Sequence, residues 1–195
     1  MRTATINRKT KETDISLELN IDGKGESEIK TPLNFLNHML ENFSKHSLFD
    51  LKIEAKGDVE VDDHHLVEDI GICLGEAMDK SLGDKKGIAR MAHAIVPMNE
   101  SLSTVSLDLS GRGYAVINIP FSEFKESKLG DLSKEVVVHF FESFAMNGKF
   151  NLNISVAGNN DHHKVEGCFK ALAKALYTAT RVIGDEIPST KGKLD

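Results

Sequence analysis

The sequence has no tryptophan, two tyrosines, four prolines and only two cysteines in 195 residues. Cys73 and Cys168 form no CxxC pair and are too few for a disulfide framework, which excludes a disulfide scaffold and leaves packing as their role, as suits a reducing cytoplasm. No run of about 18 apolar residues occurs, and Met1-Arg-Thr-Ala-Thr-Ile-Asn-Arg8 has no apolar signal core. The expectation is a cytoplasmic protein with no membrane span. A basic excess is also missing: the net charge is -6 and the pI about 5.8, which argues against nucleic acid or an anionic membrane as partner. The partner left is a small molecule.

What is present is enough apolar content, 40%, to bury a core in one medium domain or two small joined halves. The chain is internally duplicated. Ile15-Ser-Leu-Glu-Leu19 returns as Val105-Ser-Leu-Asp-Leu109, an alternating strand pattern displaced by 90. His38, Glu41, Phe43, Phe49, Leu51 and Ile53 recur 101 residues later as His139, Glu142, Phe144, Phe150, Leu152 and Ile154. His64-His65-Leu66-Val67-Glu68 recurs 98 residues later as His162-His163-Lys164-Val165-Glu166. The chain thus divides into pseudo-repeats of about 1–90 and 91–195, forming a single domain.

Within each copy the coarse order is strand, strand, helix, strand, helix. Phe35, Leu36, Met39, Leu40 and Phe43 form one apolar helical stripe, matched by Val136, Val137, Phe140, Phe141 and Phe144. The last helices repeat the pattern with Val67, Ile70, Leu74, Ala77 and Met78, and with Val165, Phe169, Leu172, Ala173 and Leu176. The expected fold class is α+β, with two similar halves packed through their apolar faces and helices between the sheets. Residues 187–195 look irregular, a composition usual for a disordered tail.

Six of the eight histidines occupy repeated positions. One such histidine would ordinarily be a satisfied core or surface residue; a duplicated set reads as metal ligands. His64 and Glu68 are four apart on a helix and project from one face, as do His162 and Glu166, so each pair can grip one ion. Their neighbours His65 and His163 are rotated by about 100° and serve a different ion. Six imidazoles and two carboxylates divide into two sites of three His and one Glu. Such donors fit Mn, Fe, Co, Ni or Zn. On the last helix His162, Glu166 and Lys170 share a stripe, placing a cation beside the metals and pointing to a phosphorylated substrate. Arg90, Arg112 and Ser189-Thr190-Lys191 are further phosphate donors.

Lys11-Glu-Thr13, Asn37-His-Met-Leu40, Asp63-His-His-Leu-Val-Glu-Asp69, Pro97-Met-Asn-Glu100, Ser110-Gly-Arg112, His139-Phe-Phe141, Asn160-Asp-His-His163, Gly167-Cys-Phe-Lys170 and Pro188-Ser-Thr-Lys-Gly192, in this order over the whole chain, resemble the imidazoleglycerol-phosphate dehydratases. The resemblance implies a ribosomal protein S5 domain 2-like fold and a hydro-lyase of L-histidine biosynthesis. Its substrate would be D-erythro-imidazole-glycerol phosphate and its product imidazole-acetol phosphate, with two Mn(II) ions per active site and self-association to a 24-mer. It also implies a crosswise grouping, with one ion on His38, His65, His162 and Glu166 and the other on His64, Glu68, His139 and His163. Substrate contacts implied are Glu12, the segment from His38 to His46, His64, His65, Glu68, Arg90, Arg112, His162, Lys170 and Ser189-Thr190-Lys191, so the tail becomes functional. Catalytic roles fall to Glu12, Glu68 and Glu166. The expected route binds the substrate imidazole as imidazolate between the ions, expels the hydroxyl to a diazafulvene-like intermediate, and removes the neighbouring proton, with Glu12 handling protons.

Asn37 and Asn99 stand where the family commonly has Asp, which removes a possible acceptor for an imidazole N–H at the first of them. Pro32 and Asn153 are lesser departures, and His93 has no assigned role. A metal-dependent hydrolase is disfavoured by the motif order, and a non-catalytic cage protein by the phosphate-binding residues.

Overall fold

The computed structural model describes residues 1–122 and 126–194. The first half runs β1 (Thr3–Lys9), β2 (Thr13–Asn20), β3 (Ser27–Lys30), α1 (Asn34–Ser47), β4 (Asp50–Gly57) and α2 (His64–Leu82). The second runs β5 (Met91–Met98), β6 (Ser101–Asp108), β7 (Tyr114–Asn118), a small hairpin of β8 (Lys128–Leu129) and β9 (Leu132–Ser133), α3 (Lys134–Asn147), β10 (Asn151–Ala157) and α4 (Asp161–Ala179). The two sheets have the matching orders β1-β2-β4-β3 and β5-β6-β10-β7, antiparallel except where β3 and β7 join in parallel.

The fold class is α+β in two similar halves, as expected, with one sheet strand more per half and the β8–β9 hairpin added in the second. β3 carries a single apolar residue, Ile29, in four positions, too short to show a period; β7 mixes Ala115, Val116 and Ile117 without a polar break. The strand repeat also needs correction. Leu17 pairs with Ile53 and Val105 with Ile154. Because Ile53 and Ile154 are counterparts, Leu17 corresponds to Val105, so the displacement of these strands is 88, not 90. A two-residue slip keeps every side chain on the same face, which is why alternation alone could not detect it. With the register set, Glu12 becomes the counterpart of Glu100, and Arg2 of Arg90.

The inward residues of each sheet, such as Ile15, Leu17 and Leu19 on β2 or Leu152, Ile154 and Val156 on β10, are buried under helices. α2 covers β1 and β2, and α4 covers β5 and β6, while helices from opposite halves pack in pairs, α1 on α4 and α2 on α3. One hydrophobic cluster therefore runs through both halves. Phe43 and Phe144, fully buried counterparts, meet edge to face across the pseudo-repeat at 6.0 Å. Gly75 lets α2 approach α3: a Cβ there would lie 2.7 Å from the Phe144 carbonyl oxygen.

Polar contacts gather the helix N-termini. Asp131, in the β8–β9 turn, accepts from the Asn34 and Phe35 amides at the start of α1. Asp63, preceding α2, accepts from the amide and hydroxyl of Ser133, preceding α3. Asn160 caps α4 by accepting from the His162 and His163 amides. Buried Asp161 meets Lys134 at the start of α3 and Lys164, each at 2.8 Å.

The outward faces of the two sheets differ. Sheet one shows charged residues such as Glu18, Lys52 and Glu54, whereas sheet two exposes Met91, Ile95, Leu102, Tyr114 and Val116, with His93 among them. No helix among the described residues is long and apolar enough to cross a membrane. Residues 180–194 form no helix, yet the segment is fastened: Val182 bridges to Ile88, and the Arg90 guanidinium donates to the Pro188 carbonyl.

Candidate active site

All eight proposed ligands stand in the first two turns of the four helices, because the repeat places them there and the caps gather those helix ends. Packing of α1 against α4 brings His38 beside His162 and Glu166. Their ligand atoms lie within 4.8 Å of one another, the one such cluster among the described residues. Glu166 Oε2 is 3.0 Å from His162 Nε2 and 3.4 Å from His38 Nε2, and its Oε1 is 2.6 Å from Lys170 Nζ. Burial alone would raise the Glu166 carboxyl, but the Lys170 ammonium and the His162 contact outweigh it and hold the group below its ordinary range.

The packing of α2 against α3 makes a second grouping. His64 and His139 rings are 4.9 Å apart between centroids, and His64 Nε2 is 3.5 Å from Glu68 Oε2. Each grouping therefore joins side chains from both halves. His65 and His163 turn elsewhere. His65 Nδ1 lies 3.1 Å from Asp58 and 3.8 Å from Glu12; the Asp58 contact holds this imidazole above its usual range. His163 Nδ1 lies 2.8 Å from Glu100, and that contact brings the Glu100 carboxyl down to about 2. A single chain thus presents each set as an open, partly exposed surface, with His65 and His163 held outside it.

The residues expected from the sequence to bind phosphate are also divided. Arg112, Ser189, Thr190 and Lys191 line a concavity of about 530 Å³ with Arg90. Arg90 is engaged in forming it: two of its nitrogens reach Asp108 at 2.7 and 3.0 Å, and a third holds the tail at Pro188. The Arg112 guanidinium makes no hydrogen bond among the described residues. This concavity sits at the Met91 end of β5, and Glu100 and His163 sit beyond the Met98 end, roughly 25 Å away for an eight-residue strand. Lys170 stays with Glu166 instead. His46, at the far end of α1, is lowered from its ordinary value by burial and by Lys170 and Lys174.

Asn37 bonds Thr31 through both amide atoms and faces no imidazole, while Asn99 Nδ2 lies 3.4 Å from His163 Nε2. Cys73 and Cys168 are fully buried, and burial pushes each thiol up to about 12. The sequence motifs do not mark Asp58, and they include Glu100 without a role. The correct strand displacement would have drawn attention to Glu100, because it makes that residue the counterpart of Glu12.

The family model described as imidazoleglycerol-phosphate dehydratase matches residues 31–176. Among similar proteins, the imidazoleglycerol-phosphate dehydratase of Methanothermobacter thermautotrophicus is 53% identical over 194 residues, covering 100% of this chain and 98% of the relative. That of Methanococcoides burtonii is also 53% identical, covering 100% of both. Among solved structures, IGPD from Pyrococcus furiosus in complex with (S)-C348 superposes with a TM-score of 0.83 at 36% identity, covering 97% of this chain and 100% of that one. The Staphylococcus aureus imidazoleglycerol-phosphate dehydratase gives 0.81 at 35% identity, covering 92% and 99%. With its whole length matched and its helices carrying the repeated histidines, the chain belongs to the imidazoleglycerol-phosphate dehydratases, a family of hydro-lyases.

Proposed function

We propose that the chain converts D-erythro-imidazole-glycerol phosphate to imidazole-acetol phosphate and water, in the cytoplasm, for L-histidine biosynthesis. The observation that carries this reading is the meeting of His38 with His162 and Glu166 across the two halves. Imidazole nitrogens and carboxylate oxygens without a thiol fit Mn(II). His38, His65, His162 and Glu166 would hold one ion, and His64, Glu68, His139 and His163 the other. When bound, the ions supply the positive charge that favours the substrate imidazole as its anion, the electron-rich form able to expel a hydroxyl from the adjacent carbon.

The chain's own residues supply the rest. Loss of that hydroxyl, by the diazafulvene-like route the resemblance implies, would leave the neighbouring C–H far more acidic, so a carboxylate would suffice to remove the proton. Glu12 is suited to it: its side chain is about half exposed and accepts no hydrogen bond among the described residues. Glu68 and Glu166 act as ligands beside the reacting ring. Arg112, Ser189, Thr190 and Lys191 present donors for phosphate oxygens, with Arg90 setting the tail, and Lys170 adds a cation on the metal side.

The distance between the concavity and the metal groupings implies that one site draws on more than one copy. The exposed apolar face around Met91, Ile95, Tyr114 and Val116 supports burial against other copies, in keeping with a 24-subunit assembly. Incubation of the pure protein with substrate and Mn(II) tests the reaction. Appearance of the ketone is expected; no product, or release of inorganic phosphate instead, would sink the assignment.

A further inference from the structure

The two halves hold their second histidines with carboxylates from different places. In the first half His65 Nδ1 is taken by Asp58, in the loop after β4, with both oxygens within 3.3 Å. Glu12, in the β1–β2 turn, stands off at 3.8 Å. In the second half the residue corresponding to Asp58 is Asn159, one position after the counterpart glycines Gly57 and Gly158. His163 Nδ1 is taken instead by Glu100, the counterpart of Glu12, at 2.8 Å. The other Glu100 oxygen accepts from Ser101 Oγ and from the Asn159 and Asn160 amides at 3.0, 3.2 and 2.8 Å. Glu100 is thus fully bonded where Glu12 is not.

A carboxylate can only accept, so in its neutral, metal-binding form each of these imidazoles carries its proton on Nδ1 and presents a lone pair at Nε2. An imidazole fixed in this way is oriented and made more basic as a metal ligand. We infer that Glu100 and Asp58 are the positioning residues of His163 and His65, occupying non-equivalent places in the repeat, and that this exchange leaves Glu12 unbonded for the substrate. The inference rests on the metal-ligand reading above. It explains why a chain built from two copies of one motif has a single unbonded glutamate in the paired turns.

Glu100→Gln is a sharp test. The amide oxygen can still accept from the 159 and 160 amides, but its NH2 offers a donor to Nδ1, which forces the proton to Nε2. Mn(II) titrated into the metal-stripped, assembled protein and followed by electron paramagnetic resonance reads the affinity of each ion. Glu100→Gln should weaken one of the two ions per site by roughly 10–100-fold and leave the other unchanged, with kcat near normal at saturating Mn(II). Asp58→Asn should do the same to the other ion, and it carries the test if Glu100→Gln fails to assemble. Glu12→Gln should leave both affinities at the wild-type value. Titrations of Glu100→Gln and Asp58→Asn that superpose on the wild type overturn the inference alone. A wild-type protein that takes up no Mn(II) overturns the metal reading as well.

Discussion

His38 Nε2 and Glu166 Oε2 lie 3.4 Å apart although they come from the first helix of one half and the last helix of the other. The carboxylate is shared with His162 and faces Lys170 on its remaining oxygen. Glu166→Gln removes the charge common to all three partners. The expected result is loss of one of two bound Mn(II) ions per site on gel filtration and metal analysis, with kcat lowered by at least about 100-fold, on the scale of losing an electrostatic element of a reacting centre.

Replacing Glu12 by Gln keeps the side chain's shape and removes its ability to take a proton. A fall in kcat of roughly 10²–10⁴, at unchanged Mn(II) content, is the expectation from steady-state kinetics. A variant with near-normal kcat would remove Glu12 from the proton-handling role.

Because the Arg112 concavity and the Glu166 cluster stand at opposite ends of one chain, two separately inactive variants should repair one another. Arg112→Ala and Glu166→Gln chains, unfolded together and refolded into mixed assemblies, should recover a measurable fraction of wild-type activity, whereas each refolded alone should not. Recovery no greater than that of the separately refolded variants would show that each site is built within one chain.

Asp161 bears on stability. Burial alone would raise its carboxyl, but Lys134 and Lys164 hold it down at about 2, against an ordinary value of 3.8. The stabilisation from this ionised group is therefore complete above pH 3.8 and is lost as the pH falls through about 2. Asp161→Asn, which removes the negative charge facing two buried lysine ammonium groups, should cost about 3–5 kcal/mol at neutral pH. Urea unfolding should show that difference shrinking between pH 4 and pH 2.

Gly75 links helix packing to the ligands. An alanine Cβ would meet the Phe144 carbonyl oxygen and the Gly148 amide at 2.7 Å, backbone atoms that cannot step aside. Gly75→Ala should destabilise the fold by about 1–3 kcal/mol. By moving α2 from α3 it should also weaken the ion proposed for His64 and His139 more than the one proposed for His38 and His162, which the same Mn(II) titration distinguishes.

The helices were legible from sequence because their apolar stripes are long and strongly periodic, and the meeting of His38 with His162 and Glu166 because the histidine motif is written twice. β3 was not, since four residues with one apolar position show no period. The strand displacement is not fixed by sequence alone, because Leu17 and Ile15 are equally apolar and point to the same face. The exchange of Asp58 for Glu100 was illegible for a different reason. It depends on which carboxylate reaches Nδ1, and the motif spacing does not encode that. Likewise, Arg90 and Arg112 look alike in sequence, and only the placement of Asp108 and Pro188 shows that one is engaged and the other open.

The crossing of α1 onto α4 and α2 onto α3 has a consequence. One half paired with an identical copy would form both helix pairs and both histidine groupings, but its two glutamate turns would be compelled to behave alike. Within one chain the two turns are not bound to that identity. Glu100 is committed to an imidazole, while its counterpart Glu12 accepts no hydrogen bond among the described residues.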